Sequence, residues 1–348
     1  MRADSIRRAD YFVSTPLPEN PPPTLPVGVE WRSTPLHGLR YTPVPYRPSG
    51  KMLVLACLLF ILTFCTCLVA GTQFATAYAR NQAFSFDEFL RSFTLFYKHP
   101  LGLAAGLPFA LTLLTILLAH ELGHFFACRY HHIRATYPFF VPFPNLNGTF
   151  GAFILIRSPI LTNRALFDVG ASGPLVGFLF AVPALVYGVL HAKLVPGLAD
   201  PANAEVIYGT PLLLRLLDAL LHPGISPDAL LLPPIGRAAW VGLFVTSLNL
   251  VPVAQLDGGH ILRSLSARLH RYMSLFLPIG IIMLGRVDFW DGWYIWGALL
   301  FLMRFLRVAP IYDPATLDPG RRWGALLALL IFLLSFMPAP FYFPPTSH

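Results

Sequence analysis

Ala119-His120-Glu121-Leu122-Gly123-His124 closes an apolar run that begins near residue 101. In a helix of 3.6 residues per turn, side chains four apart project about 40° from each other, so both imidazoles reach one ion. Two neutral imidazoles leave room on a tetrahedral zinc for a third protein ligand and a water, the open arrangement that a catalytic zinc requires. Glu121 directly follows the first histidine, where it can take a proton from that water. The same short pattern also arises by chance in unrelated helices, where the histidines merely make hydrogen bonds. Its address argues for function: the preceding Leu111-Thr112-Leu113-Leu114-Thr115-Ile116-Leu117-Leu118 suits hydrocarbon, where an ionisable cluster is costly.

The whole chain has that character. Its 348 residues are 55% hydrophobic and only 12% charged, with a mean hydropathy of +0.60, which predicts a polytopic membrane protein and excludes a soluble zinc enzyme. A net charge of +8 is modest for the length and signals topology, not nucleic acid, so no nucleic-acid partner is expected. Four cysteines form no disulfide framework: Cys57, Cys65 and Cys67 share one apolar segment, where they read as small hydrophobes. Cys128 continues the series of His120 and His124, but it would lie about 12 Å along the axis from His120, too far for one ion.

In order, residues 1–51 read as a flexible, proline-rich, basic extension; 52–340 as the transmembrane domain, with its core at about 101–262; and 341–348 as a tail. The fold class expected is all-α, with six to seven transmembrane helices and a small β-hairpin or re-entrant loop near the active site. Spans are expected at about 52–71, 101–128, 165–190 and 236–253, then at 272–284, 293–306 and 323–337. Surface helices are expected at 84–97 and 211–221. The stretch 137–159 is too broken by Pro and Gly to span. It reads as strand, turn, strand beside the metal, with an edge free to pair with an extended peptide through the Gly148, Phe150 and Gly151 loop. Small residues at Gly170, Gly173 and Gly177 permit the third span to pack closely on the metal-bearing helix.

The fourth span runs into Asn249-Leu250-Val251-Pro252-Val253-Ala254-Gln255-Leu256-Asp257-Gly258-Gly259-His260. An acidic residue just past an apolar helix, in a Pro- and Gly-broken stretch, can approach another helix's end, which makes Asp257 the expected third ligand. His260 is the rival, as ligand or as a hydrogen-bond donor to one. Asn249 carries amide donors suited to an oxyanion or a substrate carbonyl.

Threading seven spans from a cytoplasmic amino terminus puts Arg129, Arg134, Arg157, Arg164, Arg263, Arg268, Arg271, Arg304, Arg307, Arg321 and Arg322 on the inside. Arg80, Arg91, Lys98, Lys193, Arg215, Arg237 and Arg286 fall on the other side. The same threading brings His124 and Asp257 to one membrane face. An ion transporter or channel is the alternative class, since intramembrane His and Asp also line ion paths, but no internal duplication is visible. A second alternative, a non-proteolytic membrane binding protein on the same fold, is disfavoured by the intact Glu121.

With these residues in view, the chain resembles the site-2 protease family of intramembrane zinc metalloproteases, most closely its compact bacterial and plastid-type members without a PDZ domain. The match runs over His120-Glu121-Leu122-Gly123-His124, Asn147-Gly148-Thr149-Phe150-Gly151-Ala152-Phe153, Gly173-Pro174-Leu175-Val176-Gly177, and 249–259. The resemblance implies that His120, His124 and Asp257 bind one zinc ion, that Glu121 is catalytic, and that the substrates are transmembrane segments of other proteins within the lipid bilayer. The expected location is a bacterial cell membrane with the amino terminus cytoplasmic, or an organellar membrane.

Overall fold

The fold was read from a computed structural model, which describes residues 29–30, 40–41, 49–200, 204–224, 229–286, 290–305 and 315–344. The expected flexible extension therefore lies largely outside the described residues. Within it β1 (Val29–Glu30) pairs antiparallel with β2 (Arg40–Tyr41).

Helix α1 (Gly50–Arg80) starts where the Ser49 hydroxyl accepts from the Met52 N–H. It runs past the span expected at 52–71, because the hydroxyls of Thr72 and Thr76 donate to the carbonyls of Leu68 and Thr72 and so remain satisfied inside the helix. Asn81, left-handed at φ 54, ends it. The amphipathic α2 (Phe86–Lys98) buries Phe89 and exposes Leu90. A 3-10 stretch over Pro100–Gly106 then leads into α3 (Leu107–Tyr130), which carries the motif near its end.

The strand, turn, strand expectation corresponds to β3 (Phe139–Pro142) and β4 (Thr149–Phe153), an antiparallel hairpin with a bulge between Val141 and Pro142. Helix α4 (Asn163–Leu190) follows, capped by the Thr162 side chain. The loop beyond it holds β5 (Lys193–Leu194), β6 (Ile207–Tyr208), α5 (Leu212–Leu221) and β7 (Leu230–Leu231). β5 pairs with β7. Burial pushes the Tyr208 phenol well above its ordinary pKa. After α6 (Pro234–Asn249) come α7 (Asp257–Leu265), α8 (Ala267–Arg286), α9 (Gly292–Met303) and α10 (Pro319–Ser335). The closing β8 (Phe341–Tyr342) pairs with β6, so part of the expected tail is built into the fold.

Among the described residues three helices are long and apolar enough to cross a bilayer: Gly50–Arg80, Pro100–Tyr130 and Asn163–Leu190. The protein is a mostly helical membrane protein with small strand pairs. The fourth span expected from sequence is a 16-residue helix, about 24 Å long at 1.5 Å per residue. Ala238, Ala239, Trp240 and Leu243 on it are all 0% exposed. Protein surrounds it, with α3 and α4 packed against it, so that even Arg237, Thr246 and Ser247 on it are buried.

Burying leucine against leucine gains little where lipid is the alternative solvent, so helix association here depends on close fit. The α3–α4 pair, the most extensive helix contact, has that fit. A Cβ at Gly173 would collide with the His124 imidazole, and one at Gly177 would lie 3.1 Å from His120 Cβ.

Candidate metal centre

His120 and His124 lie on the buried face of α3, 4% and 7% exposed, with ring centroids 4.9 Å apart. Asp257 opens α7, the short helix that follows the turn after α6. Its Oδ2 lies 3.2 Å from His120 Nε2 and 3.3 Å from His124 Nε2. One ligand atom from each of the three residues lies within 4.8 Å of the others.

The turn that delivers Asp257 is irregular, with Ala254 left-handed at φ 50. Its peptide groups are satisfied from α8: the Ala254 N–H donates to Ser274 Oγ at 3.0 Å, and His270 Nε2 lies 3.0 Å from the Ala254 carbonyl. Broken backbone at membrane depth survives only with such partners.

The donor chemistry tests whether a cation belongs here. His124 Nδ1 is 2.7 Å from the Val169 carbonyl, which can only accept, so the neutral ring carries its proton on Nδ1 and a lone pair on Nε2. That lone pair faces a carboxylate oxygen at 3.3 Å. Two acceptors repel at that distance unless a cation, a proton or a metal ion, lies between them. Two imidazole nitrogens and one carboxylate oxygen form a donor set that suits zinc and leaves a coordination position open. A ring oriented by a backbone carbonyl is the usual support for a metal-binding histidine.

Glu121 is buried, with the backbone of Ile154, just beyond β4, facing its carboxyl group. With His120, His124, Phe153, Asn249 and Asp257 it lines a cavity of about 210 Å³. The Asn249 carboxamide, at the end of α6, lies 3.3 Å from His120 Nε2. His260 also lines the cavity but does not belong to the converging trio. Cys128 is buried in a separate apolar cluster with Ile133 and Val169.

The loop residues singled out in the hairpin do not reach this cavity. Gly148, at φ +78, sits against α1, where the Thr66 hydroxyl donates to its carbonyl at 2.6 Å. Phe150 is exposed and stacks on Phe143 at 4.1 Å. Gly151, at φ +109, lies at the bulge. Ala152 and Phe153 line the cavity instead. Sequence reading also missed the Val169 carbonyl and the Ile154 amide, since backbone groups carry no residue signature.

The fit of α4 against the histidines gives a test. We expect Gly173→Ala to push a methyl into the His124 ring, so that the helices part or the ring turns away. Overpacking of this kind costs about 1–3 kcal/mol. A fall in the thermal unfolding midpoint in detergent would register it, and an unchanged midpoint would contradict the fit.

The class follows: the chain belongs to Peptidase family M50, the site-2 protease family, which it matches over residues 108–284. That range contains the two histidines, Glu121, the hairpin, α4, Asn249 and Asp257. Among particular proteins, it is similar to the probable zinc metalloprotease EGY2, chloroplastic, of Arabidopsis thaliana, with 30% identity over 241 residues, 68% of this chain and 43% of that protein. EGY2 of Oryza sativa subsp. indica is 29% identical over 245 residues, 70% of this chain and 44% of that protein. The probable zinc metalloprotease EGY1, chloroplastic, of Arabidopsis thaliana is 29% identical over 242 residues, 67% of this chain and 43% of that protein. The chain thus spans less than half the length of these relatives. No solved structure matches it.

Proposed function

We propose that the protein is an intramembrane zinc metalloprotease that hydrolyses peptide bonds within or beside transmembrane segments of other membrane proteins. The observation that carries this reading is the convergence of the His120, His124 and Asp257 donor atoms within 4.8 Å, with Glu121 in the same cavity. His120, His124 and Asp257 would hold the zinc. Bound there, zinc supplies Lewis acidity, which lowers the pKa of water toward ~7 and polarises a carbonyl.

The chain's own groups account for the rest. Glu121 accepts the proton of the attacking water and returns it to the leaving amine, with the Ile154 backbone beside it. Asn249 reaches the same cavity with an amide donor for the developing oxyanion. A helical substrate hides its carbonyls in its own hydrogen bonds and must unwind before attack. The β4 edge that faces no strand among the described residues offers the exposed backbone new partners, which offsets part of that cost. Its cavity-lining residues Ala152 and Phe153, not the Phe150 loop, stand nearest the cleavage point in this reading.

Membrane-embedded substrates are supported by the centre's position within α3 and at the end of α6, beside helices suited to a bilayer. The basic loops on the metal side favour a cytoplasmic placement of that face. Six or seven crossings in a bacterial cell membrane, or an organellar membrane as the relatives' names suggest for those proteins, complete the reading.

The purified full chain, incubated in detergent with a tagged transmembrane peptide, should cut it. A zinc chelator should remove at least about 90% of the rate, and stoichiometric zinc should restore it, because the open site depends on the ion. Zinc uptake into proteoliposomes without any cleavage would overturn the proposal in favour of a transporter.

A further inference from the structure

The peptide that orients His124 is held from the far end of the chain. Val169 follows Asp168, and both carboxylate oxygens of Asp168 are engaged. Oδ1 accepts from Arg321 Nε at 2.9 Å, while Oδ2 accepts from Arg321 Nη2 at 2.6 Å and lies 2.7 Å from His131 Nε2. Arg321 stands in the first turn of α10, and its own N–H and guanidinium are bound in turn by Asp318, the residue that caps that helix. His131 is the residue on which α3 ends. One carboxylate therefore joins the end of α3, the start of α4 and the start of α10, one residue from the carbonyl that His124 Nδ1 contacts at 2.7 Å.

An isolated surface ion pair positions nothing. This one differs in being forked, in being only about a quarter exposed on each side (25% and 24%), and in taking a histidine from the metal-bearing helix as a third member. A planar guanidinium gripping two oxygens fixes direction as well as distance, which a point charge does not. Arg321 lies outside the residues matched to the family.

We propose that Arg321 is a positioning residue for the metal centre: through its forked pair with Asp168 it holds the Val169 carbonyl on His124 and keeps the Nε2 lone pair aimed at the ion. This inference rests on the zinc reading above. The rival account is that Arg321 only docks α10 on the bundle, and the two differ in whether zinc affinity follows the arginine or the docking.

The test uses the full chain in detergent, with zinc affinity measured by chelator competition and the d–d absorption of the cobalt-loaded protein as a geometric signature. R321Q should weaken zinc binding by about 10–100-fold, the range for partners that orient a ligand, and should shift the cobalt band. R321K should recover part of the loss, since an ammonium supplies the charge without the fork. F336A removes the ring that packs on Trp293 beyond the far end of α10 and should lower the unfolding midpoint while leaving zinc affinity unchanged. Wild-type affinity and spectrum in R321Q would overturn the inference, as would an equal zinc loss in F336A. Should R321Q fail to fold, an R321K affinity within twofold of wild type would overturn it. A wild-type chain that binds no zinc would sink the zinc reading itself, and this inference with it.

Discussion

Glu121→Gln is expected to abolish hydrolysis, lowering the rate by about 10³-fold, while the protein retains its zinc. Proton transfer by a positioned side chain contributes about 10²–10⁴-fold. His124 Nδ1 lies 2.7 Å from the Val169 carbonyl, while Nε2 of His120 and of His124 face Oδ2 of Asp257 at 3.2 and 3.3 Å. Glutamine keeps the shape of the side chain and an oxygen beside the Ile154 backbone, so the cavity should not rearrange. The decisive pair of measurements is peptide cleavage by mass spectrometry and bound zinc by elemental analysis on the same preparation. Cleavage within threefold of wild type would remove Glu121 from its role.

Asp257→Ala should cost both the metal and the activity. Two imidazoles alone leave an ion with too few protein ligands, and zinc affinity should fall by more than ~100-fold, beyond what the loss of a merely supporting group causes. The variant should emerge from dialysis without zinc. His260→Ala is the informative comparison, because that ring lines the same cavity yet does not join the converging atoms. It should keep one zinc per chain. If His260→Ala lost the metal and Asp257→Ala kept it, the third-ligand assignment would pass to the histidine.

Much of this was legible in the sequence for identifiable physical reasons. Histidines four apart on an apolar helix announce a shared face, and the three converging side chains, although 137 residues separate His120 from Asp257, are all of metal-binding type. The Pro- and Gly-broken stretch after α3 announces a hairpin, and β3 and β4 form there. The bulge is not legible: it falls at Phe150, between Thr149 and Gly151, while Ala152 and Phe153 beyond it line the cavity. The fourth apolar segment reads as a span, but its burial by protein is not legible, because a helix enclosed by protein and one enclosed by lipid look alike in composition. The Val169 carbonyl belongs to the backbone, and the Arg321–Asp168 pair spans 153 residues with no local pattern to announce it.

Helix α6 has a mechanical consequence. It ends at Asn249 just before the turn to Asp257, and its flanks touch other helices instead of hydrocarbon. Bilayers of different thickness tilt or stretch the elements they wet, but an axle wrapped in protein has no such grip. The level of Asn249 and Asp257 against the histidines is thus a property of the polypeptide's own machining, and the centre can keep its alignment when the surrounding lipid changes composition.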